Sequence, residues 1–242
     1  MSENKGTLNI VQIYPKHMNI YGDYGNTLAV QRRAEAHGYK VKISDYNVGD
    51  TFPKEVDIIL GGGGQDSGQS KIYEDLLAHA DDFKNLVNND TPILVICGLY
   101  QLFGNYFRTN TGEKLEGIGI LDAETNADET RRIGNIVVNS EEFGAIVGYE
   151  NHSGQTFLGK NVQPLGTTKP GEGNNGEDKT EGARYKNVIA SYLHGSILPK
   201  NPKITDFLIE KAAINKFGKF EPEKLDDSLV EKARKTAMSR PR

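Results

Sequence analysis

The alternation of apolar runs in this chain predicts an α/β fold, with a mainly parallel, open sheet and helices on both faces. Three observations carry that expectation. Short β-branched and aliphatic runs alternate with helical stretches through the first hundred residues, the pattern of successive βα units. Two apolar runs, at 92–96 and 188–193, end on a chemically competent side chain followed at once by glycine. At 242 residues, 36% hydrophobic and 26% charged, the chain can build one sizeable core but not two. Residues 1–242 are therefore read as a single domain, closed by C-terminal helices from about residue 202.

The elements follow in order. Residues 8–13 (Leu-Asn-Ile-Val-Gln-Ile) form a first strand, and residues 26–37 a helix that Gly38 stops. Asp23 and Asn26 precede or open that helix and are as well suited to capping it as to any site role. Further strands span 40–44 and 57–60, the second running into Gly61, Gly62, Gly63 and Gly64. A helix over 71–87 leads to the strand that carries Cys97. The middle third is richer in strands, with short ones at 117–121, 134–138 and 145–150. Residues 171–182 lack apolar periodicity and read as a solvent-exposed loop. Helices at 204–216 and 228–238 close the chain, and Arg240-Pro241-Arg242 reads as a frayed tail.

Composition narrows the function classes. A net charge of −4, with no basic stripe studded by aromatics, argues against a nucleic-acid surface. The polar start Met1-Ser2-Glu3 and the lack of a long apolar stretch give neither a signal peptide nor a transmembrane segment, so a cytoplasmic protein is expected. One cysteine rules out an internal disulfide, and the five histidines show no metal-ligand spacing.

That cysteine carries the chemistry. In Thr91-Pro-Ile-Leu-Val-Ile-Cys97-Gly98, Cys97 ends a buried-strand run and stands on the bend into a helix. Such a turn lifts a nucleophile clear of the sheet edge, near the positive end of a helix dipole that favours thiolate. The usual fate of a lone cysteine is to pack as a small hydrophobe. What weighs against it is Tyr185-Lys-Asn-Val-Ile-Ala-Ser-Tyr-Leu-His194-Gly195, a second run delivering a histidine at its C-terminal end. Sites in parallel α/β sheets lie beyond those strand ends, so Cys97 and His194 are placed to meet. Gly63 to Ser70 has the glycine spacing of a phosphate loop, but Gln69 stands where lysine is required. The glycines are better suited to bringing backbone N–H groups near a developing oxyanion, with Gly98 and Gly63, or a neighbouring loop glycine, as the candidates. His152, in Asn151-His152-Ser153-Gly154, is read as a loop histidine with ordinary hydrogen bonds.

Ile96-Cys97-Gly98-Leu99-Tyr100-Gln101 resembles the nucleophile elbow of class I glutamine amidotransferases of the cobyric-acid-synthase type. With Tyr21-Gly-Asp23-Tyr-Gly25-Asn26, Gly62-Gly-Gly-Gln65-Asp66, Leu115-Glu-Gly-Ile-Gly-Ile-Leu-Asp122, Gly148-Tyr-Glu150-Asn151-His152 and Tyr192-Leu-His194-Gly195, the chain is similar over most of its length to the glutaminase subunits of lipid II isoglutaminyl synthases. The resemblance implies a flavodoxin-like class I amidotransferase fold, Cys97 as nucleophile, His194 as general base, and Arg131 as the residue that binds glutamine, with adjacent Arg132 as its alternative. It further implies a heterodimer with a Mur-ligase-like subunit that holds ATP and Mg and contacts lipid II, no cofactor in this chain, and work at the inner membrane face. A cobyric-acid-type amidotransferase and a non-catalytic module of the same fold are the competing readings.

Two departures bear on the site. Leu99 replaces the second elbow glycine. Ser196, two residues after His194, stands where the wider class has a glutamate, so the third member of a triad is expected from the partner or from Glu150.

Overall fold

A computed structural model describes residues 4–241. The N-terminal half follows the βα order. β1 (Thr7–Ile13), α1 (Tyr24–Ala36), β2 (Lys40–Tyr46), β3 (Ile58–Gly61), α2 (Asp66–Ala78), α3 (Ala80–Asn88) and β4 (Ile93–Ile96) succeed one another, and α4 (Gly98–Phe103) starts directly after Cys97. The helix expected over 71–87 is thus two helices, broken at His79.

The chain then builds a second layer that its first hundred residues do not announce. Short strands β5 (Tyr106–Arg108) and β6 (Lys114–Glu116) precede a long antiparallel hairpin, β7 (Ala123–Ser140) with β8 (Gly144–Leu158). No strand forms over 117–121, and the strands expected at 134–138 and 145–150 are inner parts of this hairpin. β9 (Gly166–Thr168), β10 (Thr180–Glu181), β11 (Ala183–Tyr185), β12 (Val188–Ser191) and β13 (Leu193–His194) follow, then α5 (Ile197–Lys200), α6 (Pro202–Phe217) and α7 (Ser228–Met238).

The first sheet has the order β11-β12-β4-β3-β1-β2, parallel except for edge strand β11. Its central strands β3, β4 and β12 are buried at every residue, as expected of uninterrupted Val, Ile and Leu runs covered on both faces. The second sheet is mostly antiparallel, and along β7 buried and partly exposed residues alternate from Arg132 to Ser140. β13 leaves the first sheet to pair with β8 of the second, so His194 sits at the seam.

Three expectations are corrected here. The 171–182 segment folds inward: Asn174, Asn175 and Glu181 are buried, and Asn174 Nδ2 donates to the Gly182 carbonyl at 3.0 Å. The polar composition that suggested a solvated loop instead satisfies buried backbone groups. Neither Asp23 nor Asn26 caps α1, because Asp23 turns to the Gly63 N–H and Asn26 Oδ1 accepts the Leu198 N–H at 2.9 Å. The Pro241 carbonyl accepts from Asn135 Nδ2, so the tail touches β7; Met1, Ser2, Glu3 and Arg242 lie outside the described residues.

Candidate active site

Cys97 stands at the bend between β4 and α4 with φ 51° and ψ −105°, a left-handed conformation that costs a non-glycine residue on the order of 1–3 kcal/mol. The Cys97 N–H donates to the Ser191 carbonyl on β12 at 2.9 Å, and the Gln101 N–H closes the first turn of α4 on the Cys97 carbonyl. The thiol is thereby held at the carboxyl end of the parallel sheet, at the N-terminus of a helix. Leu99 replaces the second elbow glycine without strain elsewhere because its side chain enters the space that Gly61, lacking a Cβ, leaves open.

β12 and β13 carry His194 to the same place. A Cβ on Gly63 would come within 3.0 Å of Cys97 Cβ and 2.8 Å of His194 Cε1, so Gly63 is wedged between the two side chains. No larger residue fits there. The Tyr21 ring meets the imidazole edge-on at 4.9 Å.

Asp23 completes the arrangement. It is 1% exposed, lies with Oδ2 3.6 Å from His194 Nδ1, and accepts the Gly63 N–H on the same oxygen at 2.7 Å. Burial alone would depress the imidazole's pKa, but the charge of Cys97 and the Asp23 carboxylate outweigh it and raise His194 to about 10. Glu150, the internal carboxylate expected to orient His194, does not do so. In the antiparallel pairing it lies opposite Leu193, so its side chain takes the face away from His194, and it accepts the Glu172 and Gly173 N–H groups.

The Gly63 N–H is engaged by Asp23, which corrects its expected role as an oxyanion donor. Gly98 keeps the position expected of it, as the first residue of α4, where a helix leaves its N–H groups unpaired. Neighbouring Gly64 lines the cavity beside Cys97.

That cavity, about 390 Å³, is lined by Cys97, Gln101, Tyr21, Arg131, Asn151 and His152 among others. Arg131 reaches it because the β7–β8 register slips between Ala127 and Arg132, a bulge that turns the intervening residues out of the ladder. Its Nε donates to Asn151 Oδ1 at 2.7 Å and its Nη2 to the Tyr21 hydroxyl at 3.1 Å. Arg132 is 7% exposed and spent on the Asn175 carbonyl and Asp128, which separates the two arginines. His152 lies within β8 and not in a loop.

Against this geometry, residues 9–202 match the model of the CobB/CobQ-like glutamine amidotransferase domain. The chain belongs to that family. Within it, the chain is 41% identical over 235 residues to the lipid II isoglutaminyl synthase (glutamine-hydrolyzing) subunit GatD of Staphylococcus aureus, covering 96% of each chain. The corresponding subunit of Streptococcus pneumoniae is 41% identical over 214 residues, 87% of this chain and 82% of its own. A glutamine amidotransferase from Thermotoga maritima superposes with a TM-score of 0.54 at 16% identity, over 95% of this chain and 93% of that one, and shares the fold. A CobB/CobQ-like amidotransferase needs a thiol, a base and an amino-acid pocket, and Cys97, His194 and the Arg131 cavity are where such groups would be sought. Asp23 is the residue that sequence reasoning left undecided between capping α1 and a site role. Its one signal was the Tyr21-Gly22-Asp23 segment, which reads equally well as a helix start.

Proposed function

We propose that this chain is the glutaminase subunit of a lipid II isoglutaminyl synthase, hydrolysing glutamine and handing the ammonia to a partner subunit. The observation that carries the reading is a buried Cys97, His194 and Asp23 constellation at the mouth of an amino-acid-sized cavity, in a chain alike over nearly its whole length to the two subunits named above.

The chemistry follows from the geometry. Cys97 thiolate attacks the side-chain amide carbon of glutamine, forming a C–S bond while the carbonyl π pair moves to oxygen. The Gly98 N–H, with that of Gly64, meets the oxyanion. His194, held protonated by its two anionic neighbours, gives its proton to the departing nitrogen, and ammonia leaves with the C–N bond pair. A γ-glutamyl thioester remains. Water, deprotonated by the now neutral His194, attacks it and returns Cys97 and glutamate. Arg131 pairs with the substrate's α-carboxylate through its planar fork.

The ammonia then serves a Mur-ligase-like partner, in which ATP and Mg activate the D-glutamate carboxylate of the lipid II stem peptide. Contact with the lipid-linked substrate is assigned to the partner, at the inner membrane face; among the described residues no helix is long and apolar enough to cross a membrane.

The test uses glutamine labelled with nitrogen-15 at its amide, the complex with the ligase subunit, ATP and lipid II. Label should enter the stem peptide with the wild-type chain and not with Cys97→Ala, whereas ammonium chloride should restore amidation to the Cys97→Ala complex. Label transfer that survives Cys97→Ala would overturn the assignment of the nucleophile. Glutamate release without any amidation would overturn the assignment of the acceptor.

A further inference from the structure

Among the described residues that line the cavity, His152 carries the buried side-chain nitrogen that the protein leaves without a hydrogen-bond partner. It is 3% exposed and lines the cavity wall, with its ring flat on that of Tyr192, 3.8 Å and 7° apart. Nδ1 lies 2.9 Å from the Gly154 carbonyl, which can only accept, so the proton sits on Nδ1 and Nε2 presents a bare lone pair. That Nε2 is buried and has no partner among the described residues. A buried acceptor without a donor costs roughly 1–3 kcal/mol, a cost a ligand donor would remove.

The position of the ring limits which donor that can be. Asn151, its chain neighbour, takes the Arg131 guanidinium on Oδ1 and lines the same cavity. An α-carboxylate on Arg131 therefore sits beside the Asn151 and His152 segment, with the α-ammonium attached to the same carbon. The reacting amide, three carbons further on, belongs at Cys97.

Resting on the glutaminase reading, we propose that His152 accepts a hydrogen bond from the α-ammonium of free glutamine and so selects the amino acid over other primary amides. Burial, then the cationic Arg132, His194 and Arg131, hold its pKa down to about 3 against the pull of the Gly154 carbonyl. The imidazole is thus neutral at any working pH and competes for neither proton nor substrate carboxylate. The stack on Tyr192 fixes its aim. The Tyr192 hydroxyl is itself bonded to Thr156 at 2.6 Å and to Gln101 Nε2 at 3.2 Å, so the platform cannot tilt without breaking a buried chain.

The experiment compares glutamine with glutaramate, the same amide without the α-amino group, in the wild type, His152→Asn and His152→Gln. Asparagine keeps a donor for the Gly154 carbonyl and removes the acceptor at Nε2; glutamine puts an amide oxygen near that point. His152→Asn should lower kcat/KM for glutamine by roughly 10- to 100-fold, through KM, and leave glutaramate nearly unchanged. His152→Gln should recover part of the loss. Equal losses on both substrates, or a loss confined to kcat, would overturn the proposal in favour of a structural or chemical role. In the Cys97→Ala background, adding His152→Asn should raise the glutamine concentration needed for a given rise in melting temperature by roughly 10- to 100-fold, and an unchanged concentration dependence would also overturn it. A wild-type chain that binds glutamine in this way yet releases no ammonia, alone or with its partner, would instead defeat the glutaminase reading and leave the contact standing.

Discussion

Asp23 Oδ2 lies 3.6 Å from His194 Nδ1 while holding the Gly63 N–H at 2.7 Å. One buried carboxylate thus ties the imidazole to the glycine loop that separates it from the thiol. Asp23→Asn keeps the shape and removes the charge. Turnover should fall by a factor on the order of 10² to 10⁴, the scale of losing the carboxylate of such a triad. The alkaline limb of the pH profile should also move. His194 is held near pH 10 partly by this charge, so with a neutral asparagine the imidazolium should lose its proton at lower pH. A full-rate Asp23→Asn chain with an unmoved limb would return the orienting role to a carboxylate of the partner.

Cys97→Ala should abolish ammonia release and leave the fold intact, since a small side chain at the mouth of the cavity is replaced by a slightly smaller one. His194→Ala should lose turnover far more than the loss on kcat from His152→Ala, because the ring facing Gly63 and Cys97 belongs to His194. Initial rates at saturating glutamine, with circular dichroism of each variant, decide both points. A reversed order of the two histidines would move the base to His152.

Arg131→Ala and Arg132→Ala should part company. Arg131 is exposed at the cavity and its loss should raise the glutamine KM by roughly 10- to 100-fold, as for a charge-assisted pair. Arg132 is buried against the Asn175 carbonyl and Asp128, so its loss should cost about 2–3 kcal/mol of stability with little change in KM. Glutamine saturation curves and urea melts separate the two outcomes, and an unchanged KM in Arg131→Ala would remove it from the binding role.

The parallel half of the fold was legible because its strands are buried on both faces, so that runs such as Ile58–Gly61 and Ile93–Ile96 are apolar without interruption. That Cys97 and His194 meet beside Gly63 was legible for the same reason, each closing such a run. The hairpin was half-hidden. Residues Ala123 to Arg131 carry Glu124, Asp128 and Glu129 on a partly exposed stretch with a register slip, which breaks the period-two signal that a strand needs. Asp23 was left undecided because an aspartate before a helix has a local use, capping, that looks the same in sequence as its long-range use. Its partner Gly63 is forty residues away. The inward 171–182 segment misled in the opposite sense. Asn174 and Asn175 look solvated by composition, yet their amides satisfy backbone groups of Gly182 and Thr156.

The last prediction concerns Glu181, fully buried at the end of β10, whose Oε1 accepts the Ser191 hydroxyl at 2.6 Å and the Tyr192 N–H at 3.0 Å while Oε2 has no partner among the described residues. Burial raises its pKa to about 7 against the pull of those bonds, with the Glu150 charge adding to the rise. A folded-state value above the unfolded one means that the folded chain holds this proton more tightly. The stabilisation is therefore complete below the unfolded value of 4.5 and is lost as pH climbs through 7. Glu181→Gln keeps an oxygen for Ser191 and Tyr192 and cannot ionise. It should match the wild type near pH 4.5 and exceed it by about 3 kcal/mol above pH 8, a melting temperature roughly 6 °C or more higher for a chain of this size. Because Ser191 and Tyr192 lead directly into His194, the wild type should also lose ordered activity across the same interval, and the variant should not. Melting curves and initial rates from pH 4.5 to 9 test this, and a stability difference independent of pH would show that Glu181 does not titrate in the folded chain.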